Sequence, residues 1–269
     1  MKSKLYIAAI ALFAAACNPI TTDVDLSNSF DKDNIVLKAY QDTPGSNQIT
    51  LRMESVGITG FWDFVIGTKY SDECTFIFPY TGTHTFDFHS TTPYIVDGDV
   101  GNTEYIKASI EVEVTTMDTP LADAYYCLVG DDLGGKAWVF DGTLGDNGVW
   151  WAMVNGSNSG EVWWNAGGTA QGTPVDYEGK MYFDVDGGAN YYYYASADTE
   201  PIKANFVFNS SYTTLSFPGE ANLMGAYNEG QTSGATTYEI INLTEDQLYL
   251  FASTTDGNTG WVYVFKPVE

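Results

Sequence analysis

From residue 35 onward the chain alternates apolar and polar residues with a period of two, and this restricts it to half-buried β-strands. Gln48-Ile49-Thr50-Leu51-Arg52-Met53, Thr83-His84-Thr85-Phe86-Asp87-Phe88 and Ser109-Ile110-Glu111-Val112-Glu113-Val114 all show it. In the last run Ile110, Val112 and Val114 are expected to face a core and Glu111 and Glu113 to face water. Turn chemistry separates the runs at Pro44-Gly45, Gly57, Gly67, Thr81-Gly82 and Asp97-Gly98. No segment of ten or more residues combines a 3.6 period with helix caps, so helices are expected to be minor. With 27 Gly, 19 Tyr and 44% hydrophobic residues, the chain suits short strands, tight turns and packed cores. The fold class expected is all-β.

Met117-Asp118-Thr119-Pro120 divides the chain, because Pro120 breaks strand pairing. Residues 34–117 fit a seven-strand sandwich. Residues 118–269 contain nine expected strands, at 135–141, 149–154, 161–164, 180–185, 191–195, 203–208, 236–241, 247–252 and 260–265. Their glycine-rich connections suggest a two-sheet jelly roll or a closed barrel. Six of the seven tryptophans fall in this second module.

Phe61-Trp62-Asp63-Phe64, followed by Tyr80-Thr81-Gly82-Thr83-His84-Thr85-Phe86, resembles the PKD (polycystic kidney disease) repeat. That family has a W-D-F-G-D-G turn and a later G-x-Y-x-V strand. Here Val65-Ile66-Gly67 replaces G-D-G, and Phe86 stands where tyrosine would be. The resemblance implies an immunoglobulin-like spacer or adhesion sandwich over residues 34–117, with nothing catalytic. Two blocks of the second module, residues 135–151 and 238–250, resemble the larger jelly-roll-type sandwich that follows such modules in surface glycan-binding lipoproteins of glycan-degrading Gram-negative bacteria.

Lys2 and Lys4, the apolar run from Leu5 to Phe13 and then Ala14-Ala15-Ala16 have the layout of a secretory signal, residues 1–16. The apolar run is too short for a bilayer core of roughly 30 Å. Cys17, directly after the alanines, resembles the acylated cysteine of the bacterial lipobox. The expectation is a lipid-anchored protein of the outer membrane, displayed at the cell surface, with residues 17–33 as a flexible tether. Asn18 lacks the aspartate that marks inner-membrane retention in some bacteria.

Charge and side-chain chemistry narrow the function. The formal net charge of −24, from 35 acidic and 11 basic residues, repels phosphate backbones, so no nucleic-acid partner is expected. Cys74 and Cys127 have no metal or redox spacing; they could pair in an oxidising compartment, but a bridge would need contact between the two modules, and free thiols packed as small hydrophobes are expected instead. His84 and His89, five apart on one strand, point to opposite faces and cannot share a metal. The acid-glycine turns Asp97-Gly98-Asp99, Asp131-Asp132-Leu133-Gly134 and Asp184-Val185-Asp186-Gly187 offer oxygens for a structural Ca²⁺ but lack EF-hand spacing. No cofactor is expected.

Sugars present apolar CH faces and hydroxyls, so their sites combine flat rings with Asp, Asn, Gln or Tyr hydrogen-bonding groups. The candidate ligand-binding residues are therefore Trp150, Trp151, Trp163, Trp164, Tyr192 and Tyr194. Each Trp-Trp pair is expected to put one ring in the core and one outside, and Tyr191 to Tyr194 to place two rings on each face. Trp62, Trp138 and Trp261 are expected to be core. The three-acid strand of sandwich glucanases is missing, so no catalytic residue is named and the chain is not expected to be an enzyme. The function expected is non-catalytic binding of a neutral polysaccharide. The alternatives are a structural or adhesive envelope protein with protein partners, and a sandwich-fold glycoside hydrolase.

Overall fold

A computed structural model describes residues 30–33, 35–64, 67–99, 101–141, 151–166, 175–218, 223–225 and 235–268. The signal segment, Cys17, most of the tether and Trp150 lie outside these residues. The described chain is an all-β sandwich protein.

The first module contains β1 (Leu37–Gln41), β2 (Gln48–Met53), β3 (Gly60–Phe64), β4 (Gly67–Lys69), β5 (Glu73–Ile77), β6 (Gly82–Ser90), β7 (Tyr94–Ile95), β8 (Thr103–Glu104) and β9 (Lys107–Val114). Seven of them form the two layers of a sandwich, in the orders β1-β2-β5 and β4-β3-β6-β9, and β7 pairs with β8 as a separate ribbon. Alternation builds its interior. Ile49, Leu51 and Met53 enter from β2, Trp62 and Phe64 from β3, Phe86 and Phe88 from β6, and Val112 and Val114 from β9. Glu111 and Glu113 face water, as the pattern requires. Trp62 is fully buried and meets Phe88 edge-on at 5.3 Å between ring centres. His84 packs on Phe78 inside the module, whereas His89 stacks on Phe61 on the outer face.

The chain leaves this module held to it: Asp118 accepts from Ser46 and Thr43, and Asn47 exchanges two hydrogen bonds with Thr119. A short helix, α1 (Asp123–Val129), follows and ends at Gly130, whose φ of 96° and N–H to Tyr126 O bond close the last turn.

The second module is one eleven-stranded sheet curled until nearly closed, so its two halves face each other across a shared core. Its strands are β10 (Lys136–Phe140), β11 (Trp151–Asn155), β12 (Asn158–Ala166), β13 (Lys180–Asp184), β14 (Asn190–Tyr194), β15 (Ile202–Asn205), β16 (Val207–Phe208), β17 (Thr214–Ser216), β18 (Thr237–Leu243), β19 (Leu248–Ser253) and β20 (Thr259–Pro267). The main path runs β15-β14-β13-β10-β20-β19-β18-β17-β16. The expected strand at 203–208 is two strands, with fully buried Phe206 turning the chain inward between them. Trp138, Phe183, Tyr191, Phe217, Tyr238 and Tyr263 fill the interior. The buried Trp138 indole donates to Leu128 O at 2.8 Å and fastens α1 to the sheet.

Candidate functional site

β20 decides where the exposed tryptophans end up. One side of it pairs with β19 along residues 260–265. The other side pairs with β10 at its C-terminal end and with β11 at its N-terminal half, where Trp151 faces Tyr263 and Met153 faces Trp261. β12 pairs with β11 and, among the described residues, is an edge strand. Trp151 and Trp261 are both buried and meet edge-on at 6.0 Å. Trp151 therefore belongs to the interior, and its expected outward partner, Trp150, lies outside the described residues.

The second pair departs from the expected alternation. Met153 faces Trp164 and Val154 faces Val162, which leaves Trp163 as an extra residue in β12. A bulge of this kind sets two residues against one and breaks the in-out sequence. Beyond this, β12 stands exposed on both faces along residues 160–165, so both rings reach the surface, Trp163 at 48% and Trp164 at 43% exposure, rather than one of them entering the core. They are nonetheless positioned. Trp164 stands edge-on to Trp261 at 6.4 Å. The Trp163 indole donates to Glu161 Oε1 at 3.1 Å, and Asn155 Nδ2 donates to the other carboxylate oxygen at 3.1 Å. Two half-exposed indoles, a fixed carboxylate and an amide thus share one short ribbon.

The tyrosine run divides as its period demands. Tyr191 and Tyr193 are buried, and Tyr192 and Tyr194 lie half-buried on the opposite face. Tyr192 faces Tyr182 on β13, with ring centres 6.0 Å apart, and Lys203 on β15, whose Nζ lies 5.7 Å from its ring centre. Lys180 Nζ stands 4.7 Å from the Tyr194 ring centre. Tyr182 donates to Gly134 O at 3.0 Å. Burial, with the charge of Asp184 second, raises the Tyr182 and Tyr192 phenols above their ordinary range, so both remain neutral donors at neutral pH. Beside them Tyr192, Tyr194, Asp198, Glu200 and Lys203 line a hollow of about 410 Å³.

The structure does not unite the two groups. Trp164 shares the core-facing side of the sheet with Trp151 and Trp261, whereas Tyr192 and Tyr194 lie on its outer side. Sequence reasoning missed Glu161, Tyr182, Lys180 and Lys203, which the pairing register alone brings to these rings. For Lys180 and Tyr182, the period-2 pattern of 180–184 was the available signal.

The remaining chemistry is spare. Among the described residues no group of three or more His, Cys, Asp or Glu side chains is placed to hold a metal ion. The acid-glycine turns close on themselves: Asp99, Asp132 and Asp184 each accept a backbone N–H two residues on. Cys74 and Cys127 are free and half-buried, and burial pushes the Cys74 thiol up to about 11, which keeps it protonated and unreactive. The chain matches no protein-family model and no curated protein.

Proposed function

We propose that the protein is a lipid-anchored protein of the outer-membrane surface that holds a neutral polysaccharide without cutting it. Cys17 would carry the acyl chains, the first sandwich would act as a spacer, and the second would present the aromatic surface. The observation that supports this most is the pair Trp163 and Trp164, two adjacent indoles exposed together on the strand β12 and braced by Glu161 and Trp261. Exposed rings of this size are costly to keep in water unless a partner covers them. Sugar CH faces would stack on the rings, and Asn155 and Glu161 would meet the hydroxyls.

The test is affinity electrophoresis of the mature protein in gels cast with a panel of neutral glycans. Retardation by at least one glycan is expected, with a W163A/W164A double variant losing it by roughly 10-fold, since each stacked ring contributes about 0.5–1.5 kcal/mol. The rings are exposed, so the variant should unfold within a few degrees of the parent. Uniform migration on every gel would count against sugar binding and favour a protein-contact role.

A further inference from the structure

A further recess lies away from both aromatic faces. It is a groove of about 1060 Å³ where the two modules meet. One wall is made by β4 and β5, each an outermost strand of its layer in the first sandwich. The other is made by the hairpin tip that joins β16 to β17, together with the segment leading into α1. Asn209 fixes that tip: its Oδ1 accepts the Thr213 and Thr214 N–H groups, and its Nδ2 donates to Thr213 Oγ1. Tyr212 adopts a left-handed φ of 57°, a conformation disfavoured for a tyrosine, and so leans on Phe208 and Tyr125 at 5.7 and 6.1 Å while staying 39% exposed.

The lining is chemically selective. Although 35 of the 269 residues are acidic, no acidic residue lines the groove among those described. Its polar groups are hydroxyls and amides such as Thr68, Thr75, Gln48 and Ser210, with Lys69 as the lone charge, set among Ile77, Phe208 and Tyr212. Neutral hydrogen-bonding groups mixed with rings and aliphatic surface suit an uncharged polyhydroxylated chain. The edges of β4 and β5 add backbone N–H and C=O groups. The volume exceeds the usual small-ligand range of about 300–1,000 Å³, leaving room for several sugar rings.

We infer that this junction groove is a second binding cleft for the same glycan chain, away from Trp163 and Trp164. The inference rests on the glycan-binding reading and locates it. It also makes the first sandwich a binding partner rather than a spacer alone.

The test is hydrogen exchange of the native protein with and without an oligosaccharide cut from whichever polysaccharide retards it. Several-fold slowing is expected in residues 67–77 and 208–213, with a Y212A variant binding roughly 10-fold more weakly in the same gels. Slowing confined to residues 151–166, with Y212A binding like the parent, would overturn the groove and leave the glycan reading standing. If no glycan on the panel retards the parent protein, both fall.

Discussion

Asp176 is almost completely buried, and its Oδ2 accepts from the Tyr193 hydroxyl at 2.7 Å and the Gly225 N–H at 2.8 Å. Removing the acceptor takes a buried hydrogen bond from each of two donors, so D176A should destabilise the fold by about 2–5 kcal/mol, whereas D176N keeps a carbonyl oxygen there and should cost less. Urea unfolding of the two variants checks the order. Gly225 has a φ of 88°, and an added Cβ would lie 2.8 Å from Phe140 Cζ, so alanine is excluded there on two counts. Asp87 shows how pH acts on a single residue. The Lys107 ammonium at 2.8 Å, and after it the Ser109 hydroxyl, hold its carboxyl below the ordinary carboxylate range. A carboxyl with a depressed folded-state value adds stability above its unfolded value and loses that stability as pH falls through the folded one. D87N should therefore unfold slightly earlier than the parent at pH 7, by less than about 1 kcal/mol because the pair is exposed, and the gap should close towards pH 2. Thermal melts at the two pH values decide it.

At the level of strands, what a single segment encodes was legible and what pairing encodes was not. Val112 and Val114 inside, Glu111 and Glu113 outside, and Tyr191 to Tyr194 split two and two all follow from one strand's period. Trp163 and Trp164 depart from the one-in, one-out expectation because β12 is bulged and stands at the edge among the described residues, both of them properties of strand pairing that nothing within residues 161–166 announces. The short helix α1 escaped for another reason: seven residues give barely two turns, and its anchor is the Trp138 indole of the strand that follows it. The junction groove was invisible because β4 and β5 on one side and the β16–β17 tip on the other lie more than 100 residues apart, joined only by folding. The embedded tryptophans are the clearest success. Trp62 on β3 fills the first sandwich, and W62A should cost about 3–5 kcal/mol, read from the shift of its urea midpoint.

Across the whole molecule one buried cluster runs from Phe30 through the first sandwich, past α1 and into Phe265. Tyr80 and Tyr125 sit at the crossing, and burial pushes the Tyr80 phenol up to about 12. Gly187 reaches across to donate to Thr81 Oγ1 at 3.4 Å. The two modules should therefore melt in one calorimetric transition, and two well-separated transitions would show that the shared core contributes little. If Cys17 bears the anchor, C17S should move the protein from the membrane fraction to the soluble one. The central claim is that the molecule grips a sugar chain by contact alone. Isothermal titration of the native protein with a neutral oligosaccharide, followed by chromatography of the recovered sugar, tests it most directly. Saturable heat and a chain of unchanged length are predicted; an absence of heat across the panel, or a shortened chain, would contradict the account.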